Sequence, residues 1–598
     1  MARKNKTQPP SVAEANRTRI VILAVAFGLM EIAVLPGAAS PFRTPKSVIA
    51  VIAIIAVVGL STAGALRRGR LSFRWSPLVA TLLALPLLQA VSVAWSGSSH
   101  LAWTSAAHSA VWIAAAVWIA GATDGERRLL IDGAAIGAAL SGLVLIAQAA
   151  GFSVLTVGPA GPTGRKVLTG LTGNPADLAL ASVLLLPLVL GAPGGSKRPR
   201  LRWTLAALLT VAAVVSQTLT AIIALGLVWL IWLLRNGSRR AWAGAAVLAI
   251  VLLSAGLATG LGDRFRQQLV RLERGDFYFL LSARADGWTA AGEMVRTHPV
   301  TGVGAGNFTH AYYPSRVAWI ERSGSVGQRA ELATHFNFAH CDPLQLIAEL
   351  GVPGALWLAA FIVVAFLHRP RGDPLPWLFA AAFLPFAMLH FPTHLAVGLL
   401  PIILALAHII SRGREVVFEP GAIGKRLAPA LVLVLVLGGC SWQLHRLMLN
   451  LLRGGLSHAL ATAHTLDDAG RTHQAAAVEA QILPRIPALS GARPWLWRMV
   501  GQARFAREDY VGAETAFRNA MLLWPHEEAE FGLGLTLAAQ DRQLKSQGST
   551  LDSRNRRGEA LVHLGRVCRT NPALVELIDD EDLQDAVTEI VRAFQAGG

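Results

Sequence analysis

Charge is scarce in this chain of 598 residues: 15% are Asp, Glu, Lys or Arg against 53% hydrophobic, and acidic residues (37) are fewer than basic ones (54). So low a charge content excludes both an ordinary soluble surface and a solvated, disordered chain. Cysteine is scarcer still. Cys341, Cys440 and Cys568 fall in a loop, an apolar stretch and a polar tail, which excludes a disulfide framework and any metal-ligand spacing. The basic N-terminus lacks a small-residue cleavage site after its first apolar run, so we read an uncleaved first span. The net charge of +17 is not a nucleic-acid footprint either, because its arginines and lysines sit in short clusters, "RRGR", "SKRPRLR" and "RNGSRR", between apolar runs.

What the chain does have is long hydrophobic runs and a mean hydropathy of +0.47. Apolar stretches of about 20 residues, enough to cross a bilayer, recur at 20–36, 47–66, 76–95, 101–121, 129–150, 174–191, 241–261, 343–368, 375–391, 394–411 and 427–447. The stretch 203–234 reads as two shorter helices meeting at "SQTLT", residues 216–220. The expected fold class is therefore all-α, a polytopic membrane protein with about thirteen transmembrane helices. The basic clusters alternate onto one side, which the positive-inside bias assigns to the cytoplasm, while 96–100, 216–220 and 391–393 carry no lysine or arginine. This gives a cytoplasmic N-terminus (1–19), a first membrane part (20–261), a large outer loop (262–342), a second membrane part (343–447) and an outer helical tail (448–598).

Within the tail, Trp497, Gly501, Ala513, Phe517, Ala520 and Pro525 take the positions of a tetratricopeptide repeat. A second copy is interrupted by "DRQLKSQGSTLDSRN", and a degenerate copy is expected near 460–490. Such repeats suit a protein partner, and Trp495 and Trp497 are expected to be packing residues.

The outer loop is far longer than a connector requires. In "SARADGWTAAGEMVRTHPVTGVGAGNF", Arg284, Trp288, Ala291 and Val295 share one helix face, so Arg284 emerges beside an apolar stripe, well shaped for a diphosphate. No strand precedes "GVGAGN", so it reads as a tight turn, not a dinucleotide site. In "AHCDPLQLIAELGVPG", Asp342 and Pro343 are expected as N-cap and first-turn residues of a membrane helix. His340, just outside, would be kept neutral by the helix N-terminus and could serve as a general base, with His310 and His335 as rivals.

Together these two motifs, with "GLTGNPADLALASVLLLPLVL", resemble the O-antigen ligase and polymerase superfamily of bacterial inner-membrane glycosyltransferases over roughly 165–410. The resemblance implies a periplasmic site that moves a glycan from undecaprenyl diphosphate to an acceptor glycan, lipid or protein. His340 would be the base, Arg284 a diphosphate ligand, and no cofactor or metal is implied. Two positions depart from the family pattern. Cys341 stands where asparagine is usual, and Gln217, Thr218 and Thr220 stand where many ligases have a further arginine, a charge that Arg165 or Lys166 would supply. The alternatives are a protein O-oligosaccharyltransferase and, from another class, a polysaccharide or lipid transporter or flippase.

Overall fold

The computed structural model describes residues 12–152, 168–191, 198–238, 242, 261–276, 284–324, 336–486 and 494–597. The expected apolar runs fold as helices: α1 (Val12–Ile32), α2 (Arg43–Arg67), α3 (Pro77–Val91), α4 (Ser99–Ala120), α5 (Asp124–Ala149), α6 (Pro175–Leu190), α7 (Pro199–Val215) and α8 (Leu219–Asn236). The run at 241–261 lies almost wholly outside the described residues. Among the described residues seven helices are long and apolar enough to cross a membrane, and three shorter apolar ones, including α6, pack with them. The protein is a polytopic, all-α membrane protein. The turn within 203–234 is sharp, with Gln217 at a φ of 54° between α7 and α8.

After the first membrane part come α9 (Leu261–Glu273), α10 (Arg284–Thr297) and α11 (Phe308–Ser323), then α12 (Asp342–Leu367), α13 (Leu375–Leu389) and α14 (Ala396–Ile410). α15 (Ala422–Asp468) is one continuous helix. It carries the last apolar run past residue 448 into the tail without a break. There follow α16 (Thr472–Ile482), α17 (Pro494–Ala506), α18 (Tyr510–Leu523), α19 (Glu527–Ser546), α20 (Thr550–Thr570) and α21 (Glu581–Gly597). The interrupting sequence in the tail is itself helical, lengthening α19 and α20 around a turn at Gln547–Ser549.

One end of the bundle gathers the basic clusters. There β1 (Leu71–Trp75) pairs antiparallel with β2 (Arg414–Phe418), Leu71 opposite Phe418 and Trp75 opposite Arg414. Arg127 donates to the Ala120 and Ala122 carbonyls, closing the end of α4, and Arg128 and Arg202 donate to the carbonyls of Val189 and Leu190 at the end of α6. Cations at helix C-termini satisfy orphan carbonyls and complement the helix dipole.

The opposite end holds the α1–α2 turn, α10, α11 and the tail. The tail is docked there by buried polar contacts: Tyr313 Oη donates to Glu530 at 2.6 Å, Arg316 pairs with Glu527 at 3.3 Å, and Trp524 Nε1 donates to the Thr309 carbonyl at 2.7 Å. Its own core is built from Phe517, Leu533, Leu537 and Leu564, with Gly501 and Gly532 leaving room for the Phe517 ring.

Candidate functional site

The site is assembled from three places in the chain. The first is the turn into α2. Lys46 Nζ donates to the carbonyls of Met30, Glu31 and Ala33 at 2.8–3.1 Å, tying the end of α1 to the first turn of α2. Phe42 packs on Gly173, where a Cβ would lie 2.2 Å from its ring. Asn174 caps α6 by accepting from the Ala176 N–H at 2.9 Å. This contact brings the Asp177 carboxylate to Arg43, whose Nε donates to it at 3.0 Å. Asp177 is buried while Arg43 is 44% exposed, so the guanidinium is held at one edge and open at the other.

The second is α10. Gly287 lets this helix lie on the irregular segment before α12, for a Cβ there would meet the Ala339 carbonyl oxygen at 2.9 Å. Arg284, three residues earlier, thus comes near enough to His340 for its charge to act on that ring. Ala291 and Met294 bury the apolar face against Phe308, Tyr312 and Ala348. Glu293 is engaged by Arg296 and Arg322.

The third is the start of α12. Here the N-cap is Cys341 and not Asp342, which sits inside the first turn. The Asp342 carboxylate reaches across to the α13–α14 connection, accepting from the Thr393 N–H (3.0 Å) and hydroxyl (2.7 Å) and lying 3.2 Å from His394 Nδ1. Burial alone would lower the pKa of His394, but Asp342, with help from Glu349, raises it above the ordinary histidine value.

His340 has a φ of 55°, unusual for a residue with a side chain. It is held there because Gln345 Oε1 accepts the Ala339 N–H at 3.0 Å while the Gln345 N–H donates to the Cys341 carbonyl at 2.9 Å. Its ring stands edge-on to Phe391 (4.8 Å) and Phe336 (5.3 Å), with His390 at 6.0 Å, and its buried Nδ1 makes no hydrogen bond among the described residues. The pKa is pushed down to about 3, chiefly by burial and then by Arg284 and Arg43. Desolvation and two guanidiniums thus favour the neutral form of His340.

The glycine run does more than turn. Gly351 breaks α12 with a φ of 62° and ψ of −145°. The freed carbonyls of Ala348 and Glu349 accept from the N–H groups of Val303 (3.0 Å) and Gly304 (2.9 Å), and Val352 N–H donates to Pro299. Glu349 Oε2 accepts the Gly306 N–H at 2.7 Å and Oε1 accepts from Gln345 at 2.9 Å. The amides of Val303, Gly304 and Gly306 are thus spent on α12 and leave no phosphate cradle.

Beside this constellation lies a cavity of about 880 Å³. Arg43, Asp177, Asn337, Asp342 and His394 line its polar part, and Trp357, Phe361, Phe383 and Ile402 its apolar depth. His310 also lines it, and burial lowers its pKa. Arg165, Lys166 and His335 lie outside the described residues. The sequence reading missed Arg43, although an arginine opening a helix at this end of the bundle was a usable signal.

No curated protein matches the chain. The family model described as O-Antigen ligase matches residues 204–359, a span that holds Arg284, the glycine run, His340 and the break in α12. This match and the membrane architecture support the O-antigen ligase and polymerase superfamily.

Proposed function

We propose that the protein transfers a glycan from a lipid diphosphate to an acceptor hydroxyl, with His340 as general base and Arg284 and Arg43 as diphosphate ligands. The observation that carries this reading is a partly buried, neutral imidazole, its basicity lowered by burial and by the charges of Arg284 and Arg43, next to a cavity that Arg43, Asn337 and Asp342 line together with apolar side chains. The acceptor oxygen attacks the anomeric carbon of the donor's first sugar. The bond from that carbon to the phosphate oxygen breaks with its electron pair leaving on the diphosphate, and the hydroxyl proton passes to the imidazole. A diphosphate between Arg284 and Arg43 cancels the field that weakens His340, so the base gains strength once the donor is bound. Undecaprenyl diphosphate at the periplasmic face of the inner membrane is the donor that suits the family, and ligase, polymerase and protein O-oligosaccharyltransferase share this chemistry.

A transporter would use a broken helix and a buried carboxylate, and α12 has both. Yet both Glu349 oxygens are occupied by Gly306 and Gln345, which makes that carboxylate an anchor for the loop and favours transfer. The test is turnover by purified protein in nanodiscs supplied with undecaprenyl-diphosphate glycan and acceptor. His340→Ala is expected to lower kcat by about 10²- to 10⁴-fold while donor binding persists. Arg43→Ala and Arg284→Ala are expected to raise KM for the donor. Near-normal transfer by His340→Ala would remove the base role and direct attention to His310.

A further inference from the structure

A second cavity, of about 410 Å³, lies between the tail and the membrane part. Its wall is contributed by Asn337, three residues before His340, by Asn450 and Arg453 of α15, and by Trp495, Arg498 and Trp524 of the tail. Asn337 and Trp524 also line the larger cavity, so the two are neighbours across these residues. Asn450 fixes the floor by accepting the Ser40 N–H at 3.1 Å through its side chain and the Ala39 N–H at 3.0 Å through its carbonyl. Arg498 pairs with Glu528 through one nitrogen and keeps a buried Nε with no hydrogen bond among the described residues. Trp495 and Trp497 both pack in the tail, as expected, and Trp495 also borders the cavity.

Indole rings, amides and guanidiniums around one polar cleft are the chemistry that recognises a saccharide: ring C–H faces stack on tryptophan, and hydroxyls meet fixed donors and acceptors. We propose that this cleft binds the sugar chain of a substrate, so that the tail completes the substrate site and is not only a docking module. The proposal rests on the transfer reading for His340 but concerns a separate surface. A chain seated there passes Asn337 and reaches the mouth of the larger cavity beside His340.

The experiment uses full-length protein in nanodiscs and, as probe, free glycan released by mild acid from the native host's lipid-linked pool, with binding read by native mass spectrometry. Ser457 of α15 also lines the cleft; Trp495→Ala and the cleft-filling Ser457→Phe are each expected to weaken binding about fivefold or more, Trp495→Phe to retain most of it, and His340→Ala to bind normally. In turnover, a KM rise confined to the lipid-linked donor assigns the cleft to the donor chain, and one confined to the acceptor assigns it to the acceptor chain. Wild-type affinity in both Trp495→Ala and Ser457→Phe would overturn the proposal even if His340→Ala abolished transfer. Loss of transfer with intact glycan binding in His340→Ala keeps the two readings distinct.

Discussion

Replacing Gly351 by alanine tests whether the break in α12 holds the site together. At a φ of 62° and ψ of −145° the backbone is in a region that a side chain avoids. An added Cβ would also lie 2.4 Å from the Val300 carbonyl oxygen and 2.7 Å from the Gly302 nitrogen, backbone atoms that cannot swing aside. Strain of about 1–3 kcal/mol is therefore expected if the loop stays. If α12 straightens instead, the bonds from Val303, Gly304 and Val352 are lost at about 0.5–1.5 kcal/mol each. The first route thus costs about 1–3 kcal/mol and the second about 1.5–4.5 kcal/mol locally, and both leave the apolar packing of the bundle intact. Hydrogen exchange should show lost protection over 299–307, and transfer should fall although the protein remains monodisperse. Gly372→Ala is the control, because its φ of 79° is similar but no atom lies within 4 Å of the new Cβ. Wild-type protection and transfer in Gly351→Ala would refute the view that the break organises the site.

Three further outcomes are expected. A histidine held neutral down to about pH 3 binds fewer protons than the unfolded chain between about pH 3 and 6.5, so it costs stability as pH falls through that window, up to about 1.4 kcal/mol per unit. His340→Gln should flatten the acid side of the Tm–pH curve, and an unchanged slope would contradict the burial argument. Arg316→Ala leaves Glu527 buried without its ion-pair partner, an expected loss of about 3–5 kcal/mol seen as protease release of the tail; Arg316→Ala with Glu527→Leu should recover much of it. In a background with its cysteines replaced by alanine, Ser546→Cys and Glu415→Cys should label from opposite sides of the membrane, and labelling from one side would undo the two-ended topology.

Much of the fold was legible because lipid-facing helices advertise themselves by hydropathy and length. The split of 203–234 was legible for a related reason: three polar residues in an apolar run can only turn. The β1–β2 pair was not, since five-residue strands whose partners lie at opposite ends of the membrane part carry no local signal. Nor was the continuity of α15. The tail was expected to begin at 448, yet a Cβ at Gly454 would lie 2.0 Å from the Gly37 carbonyl oxygen, so this glycine serves close packing inside a helix that runs on past that point.

The site divides along the same line. His340 and Arg284 stood out because each sits in a compact motif, and the backbone around Ala339 and Gly287 joins those motifs directly. Arg43 did not, because its placement depends on Phe42 meeting Gly173 and on Asp177 emerging one turn into α6, contacts between segments with no shared sequence pattern. Asp342 was misread for the opposite reason. An aspartate before proline has a strong local preference for capping, and here a distant contact overrides it: the Asp342 carboxylate accepts from the Thr393 N–H and hydroxyl and faces His394. Local rules thus fail where a residue next to His340 is claimed by a segment distant in sequence. A departure from a capping rule at a histidine-bearing helix start is therefore itself a reason to look for the residue that has claimed the carboxylate.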